Sequence, residues 1–81
     1  MHRIMAGQRS LNNFYQSVQF THPALADALS DDIQAVAIHA LAADKSPGQV
    51  SADRLRRMTH DLPEIHRRVL ENALTELGYL C

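Results

Sequence analysis

Between Ser46 and Tyr79 the chain reads SPGQVSADRLRRMTHDLPEIHRRVLENALTELGY, and start and stop signals for two helices fall inside it. Ser51 is placed to cap the free N–H groups of Asp53 or Arg54 at the head of a first helix. Asp61, followed by Pro63 and Glu64, forms the capping-box pattern of a second. Gly78 supplies the residue that takes φ > 0 and ends it. A polar turn at Thr59, His60 and Asp61 joins the pair. In the first helix Leu55 and Met58 point inward with Ala52 beside them. In the second, Ile65, Val69, Ala73 and Leu77 make one line that Leu62, Leu70 and Leu74 widen, a stripe broad enough to touch more than one neighbour. The rest of the chain must supply what this pair packs against.

Upstream, Ser10 is placed to cap a helix over residues 11–20, where Leu11, Phe14, Tyr15 and Val18 fall at i, i+3, i+4 and i+7. Its other face, Asn12, Asn13, Gln16 and Gln19, is polar but uncharged, a solvent face that is also able to meet a partner. Thr21-His22-Pro23 punctuates the chain, since Pro23 disfavours helix at His22 and suits the first turn of the next. Ala24, Leu25, Ala28 and Leu29 then face inward. Ser30-Asp31-Asp32 allows two readings: a break with Ser30 capping a further helix, or the wet face of one long helix. A break near Ser30 is the expectation. Residues 31–43 form the most apolar helix, with Ile33, Val36, Ala37, Ala40 and Leu41 on one face and Ile38 beside them. Asp44 to Gly48 read as a loop. Residues 1–9 carry no clear period and read as a mobile arm. There is no strand signal, repeat or low-complexity tract. The pattern predicts an all-α fold: a bundle of four to five short helices in one domain over residues 10–81, behind an arm at 1–9.

A chain of 81 residues is one small domain that buries only about 60–65% of its unfolded surface. With four aromatics and no Trp the core is aliphatic, and oligomerisation is a route to further buried area. The net charge of −1 excludes a uniformly basic nucleic-acid binder, but the charges are unevenly spread. Residues 10–44 hold Asp27, Asp31, Asp32 and Asp44 with no Lys or Arg, while residues 45–68 hold Lys45, Arg54, Arg56, Arg57, Arg67 and Arg68 against Asp53, Asp61 and Glu64. Such polarisation steers a partner or matches a second copy of the chain. The single cysteine, Cys81, permits no internal disulfide and fits a reducing compartment. No apolar run approaches a membrane span of about 20 residues, and no signal-peptide pattern opens the chain. The expected location is the cytoplasm.

Catalysis finds little support. Cys81 is terminal, no glycine-rich phosphate loop occurs, and no carboxylate pair stands out from ordinary helix surface. The five histidines are scattered, without a metal-binding spacing. His39 in the apolar helix reads as a partly buried, hydrogen-bonded imidazole. A non-enzyme without metal or cofactor is expected.

The basic helix pair is the candidate binding face. Arg54 and Arg57 are i, i+3 neighbours, Arg67 and Arg68 lie early in the next helix, and guanidinium forks match phosphate oxygens. The same arginines also suit a solvated face paired with the acidic middle or with a second subunit. The stretch QVSADRLRRMTHDLPEIHRRVLENALTELGYL resembles the helical part of winged helix-turn-helix regulators, through Val50-Ser51, Leu55, Met58, Leu74, Leu77 and Gly78-Tyr79-Leu80. The resemblance covers residues 31–80, with IQAVAIHALAA as the first helix of a trio. The turn carries Asp61-Leu62-Pro63 where that family usually has Gly, and no two-stranded wing follows. The resemblance implies a small regulator that binds DNA as a dimer. Arg54, Arg57, Arg67 and Arg68 would contact phosphate, while His66 and Asn72 would reach bases. The alternative is a protein-binding regulator or adaptor of the antiactivator type with no nucleic-acid role.

Overall fold

The computed structural model describes residues 3–80. Those residues are all-helical, in four helices: α1 (Arg3–Thr21), α2 (Pro23–Leu41), α3 (Lys45–Met58) and α4 (Glu64–Leu77). The number agrees with the four to five expected from the sequence, but the first two span 19 residues each, so the helices are longer than the pattern predicts.

α1 starts well before Ser10 because its apolar stripe runs back through Gly7 to Ile4, continuing the spacing of Leu11, Phe14 and Val18, all buried. Residues 3–9 are therefore helix where an arm was expected; Met1 and His2 lie outside the described residues. Gly7 sits on the packed side, where an added Cβ would meet Leu77 Cγ at 2.8 Å and Glu76 Cβ at 3.2 Å. It is a contact glycine between α1 and α4.

The boundary at Thr21-His22-Pro23 falls where expected, with His22 out of the helical region (φ −140°, ψ 69°) and Pro23 opening α2. No break follows at Ser30. Its hydroxyl donates to the Asp27 carbonyl at 2.9 Å, folding back on its own helix rather than capping a new one. Ala26, Leu29, Asp32, Val36 and Ala40 form the buried face. Ile38 and Leu41, expected on that face, are exposed.

α3 begins at Lys45, six residues before the expected Ser51, so Ser46-Pro47-Gly48 is helix and not loop. Pro47 is tolerated because first-turn N–H groups have no partner within the helix. Gly48 lets the Tyr79 ring lie against the backbone. Ser51, with its residue buried, is helix interior and caps nothing.

The link to α4 runs over residues 59–63. The Thr59 hydroxyl donates to Leu55 O at 2.7 Å, and Leu62 tucks into the core. Asp61 caps nothing; Pro63 stands at the head of α4, its carbonyl accepting from the N–H groups of His66 (3.0 Å) and Arg67 (3.3 Å). This rotates the buried face to Leu70, Ala73, Leu74 and Leu77, and leaves Ile65, expected inside, 70% exposed. Gly78 closes the helix in the left-handed region (φ 94°) as expected, with the Tyr79 N–H donating to Leu74 O at 2.8 Å.

α1 packs against both α2 and α4, and α2 packs against α3, whereas α3 and α4 barely touch. Gln8 Nε2 donates to Ala37 O at 2.9 Å, and the Tyr79 hydroxyl to Val36 O at 3.2 Å. The start of α1, the second half of α2 and the residues after α4 therefore meet. One core joins all four helices, with Phe14, Leu29, Leu55 and Leu70 among its members.

Candidate basic corner between α3 and α4

Because α3 leans on α2 and α4 on α1, a hollow opens where the chain passes from one to the other. It has a volume of about 410 Å³ and is lined by Asp53, Arg56, Arg57 and Thr59 from the α3 side, then His60, Arg67, Leu70 and Glu71. The floor is set by Thr59, whose hydroxyl is held by Leu55 O, and by Leu70, which is fully buried. Three guanidiniums face two carboxylates, so the hollow carries excess positive charge. Asp53 accepts from Gln49 Nε2 at 3.1 Å, and Arg67 is steadied by its Nε donating to Leu62 O at 3.0 Å. Arg56 and Arg57 make no ion pair among the described residues.

The six residues singled out from the sequence divide. Arg57 and Arg67 both line this hollow, from opposite sides of the bend. Arg54 is committed elsewhere: its Nε donates to both Asp32 oxygens, at 3.0 and 3.1 Å, and its Nη2 to Oδ1. That removes it from the set expected to reach phosphate. Arg68 pairs with Glu64 one turn back, and with Arg67 and Glu71 borders a second hollow of about 330 Å³. His66, half-buried, and Asn72, exposed, line neither. Arg56 and His60 do line the hollow, although the resemblance did not single them out. Their adjacency to Arg57 and to the turn was the available signal.

Asp32 is the buried counterweight to this basic surface. The residue is 5% exposed, while the Arg54 side chain remains 49% exposed to water. The hydrogen bond from Arg54 holds the Asp32 carboxyl below the usual carboxylate range; burial opposes the shift, and the nearby charge and the Ser51 hydroxyl support it. Arg54 is raised in turn by the same contact.

Among the described residues no group of three or more His, Cys, Asp or Glu side chains is placed to hold a metal ion. None of the helices is long and apolar enough to cross a membrane. No protein-family model, no curated protein and no solved structure matches this chain.

Proposed function

We propose that the chain is a small regulatory protein that binds DNA through the corner between α3 and α4, used as a helix-turn-helix-like face. The observation that carries this reading is the convergence of Arg57 and Arg67 across the bend, with Arg56 and His60 beside them. Guanidiniums on both sides of a hollow suit the paired oxygens of a phosphate backbone. The exposed start of α4 is the element a second helix of such a motif presents to the duplex. With Arg54 held by Asp32, phosphate contact falls to Arg56, Arg57 and Arg67. His66 and Asn72 lie outside the hollow, so backbone contact dominates base reading.

The test is fluorescence anisotropy of a labelled duplex at low salt, comparing wild type with Arg57→Glu/Arg67→Glu and with Arg54→Gln. Binding by wild type, lost in the double variant and nearly unchanged in Arg54→Gln, is expected. An Arg54→Gln protein that stays folded yet loses binding as fully as the double variant would show that the assignment of roles is wrong.

A second reading, a protein-binding adaptor, is favoured by apolar side chains left in water: Phe20, Ile38, Leu41, Val50 and Ile65. On that reading Ile65→Ser weakens partner binding while duplex binding is absent from wild type.

A further inference from the structure

Asp27 and Asp31 stand one helical turn apart on α2, both exposed. Neither makes an ion pair among the described residues. Like charges at i, i+4 repel one another, and a cation laid across them relieves that repulsion. Three alanines flank them on one side. Ala24 and Ala28 are exposed and Ala35 is half-buried, and the spacing 24, 28, 31, 35 keeps to one helical stripe. The outer face of α2 is thus a slender ridge bearing carboxylates, with no Lys or Arg anywhere between Ser10 and Asp44.

The corner between α3 and α4 has the opposite form and the opposite sign. It is concave, and Arg56, Arg57 and Arg67 line it. Met58, between the lining residues Arg57 and Thr59 in the chain, is exposed and offers apolar contact to alanine methyl groups. A ridge of short side chains enters a hollow of this size where long ones would fill it. The ridge cannot reach its own corner, because α2 is fixed along α3 by the Asp32–Arg54 pair.

We propose that the corner of one molecule receives the Asp27–Asp31 ridge of a second copy. The two surfaces differ, so each contact leaves a ridge on one molecule and a corner on the other, to be filled reciprocally in a two-fold dimer or by further copies head-to-tail. It draws on exposed charges, which contribute modestly and are screened by salt. The contact uses the corner described above but stands whether or not that corner also takes DNA.

The experiment is sedimentation equilibrium on nuclease-treated protein without nucleic acid, at about 20 mM and about 500 mM salt, either side of the ionic strength at which screening becomes strong. At low salt the wild type should show a weight-average mass that rises with concentration above the 9.1 kDa of one chain. At high salt it should return to the single chain. Asp27→Lys/Asp31→Lys and Arg57→Glu/Arg67→Glu should each stay at the mass of one chain, and mixing the two should restore association. Asp27→Asn/Asp31→Asn, which alters size little, should also lose it, with circular dichroism confirming the helices. A wild type that remains a single chain at low salt overturns the proposal. So does association that survives both reversals, which would place the contact elsewhere.

Discussion

Ala43 holds a φ of 60°, alone among the described non-glycine residues in taking a positive value. It turns the chain from α2 into α3, and the Asp44 N–H donates back to His39 O at 3.0 Å. An L-residue in the left-handed region costs about 1–2 kcal/mol, which glycine avoids at the expense of a more flexible unfolded chain. Ala43→Gly should therefore raise stability by about 0.5–1 kcal/mol, seen as a higher urea midpoint. Gly78→Ala should lower it by at least about 1 kcal/mol, because φ is 94° there and a Cβ would press on Lys45 Cε at 2.7 Å.

Two residues with shifted titrations tie stability to pH. The Asp32 carboxyl is lowered by Arg54, so its contribution is complete above about 3.9 and is lost as pH falls through its lower folded value. The Tyr79 hydroxyl is raised by burial and then by the Asp44 charge, so its contribution is complete below about 10 and is lost as pH rises through its higher folded value. Urea unfolding across pH should show stability falling at both ends. Asp32→Asn should flatten the acid limb, and Tyr79→Phe the alkaline one.

At the level of elements, the stripe of α1 and the αL stop at Gly78 were legible because each rests on a local rule that nothing distant overrides. The starts of α1 and α3 were not legible. A glycine read locally favours a break, yet Gly7 and Gly48 each present a small face that lets a partner approach, Leu77 in one case and Tyr79 in the other. Only the packing of α4 and the residues after it tells the two roles apart. Asp32 misled in the same way: among aspartates it reads as a wet face, and its place inside is explained by Arg54, 22 positions on. Replacing Gly48 by Ala puts a methyl group into the Tyr79 ring and should cost about 1–3 kcal/mol, as overpacking of a filled site does. In a double-mutant cycle Tyr79→Leu should recover part of that loss.

Across the whole molecule, the order of contacts decides where function can lie. A fourth helix packed closely on the third would bury the bend; here each leans on a different inner helix and the hollow between them stays open. The candidate site was half legible. The charge run marked the stretch that lines the hollow, but the sequence could not tell Arg57 and Arg67, which share its lining, from Arg54, which serves Asp32, or from Arg68, which serves Glu64. That sorting yields a quantity. Each neutralised phosphate contributes roughly −0.9 to the slope of log binding constant against log salt concentration on duplex DNA.

The slope for a duplex titrated from low to moderate salt is the most direct check on this assignment. Three arginines at the corner predict a value near −2.7, its magnitude dropping by roughly 0.9 for each of Arg56→Gln, Arg57→Gln and Arg67→Gln and by nothing for Arg54→Gln. No measurable binding to duplex at low salt, or a slope that those three substitutions leave unchanged, would contradict it.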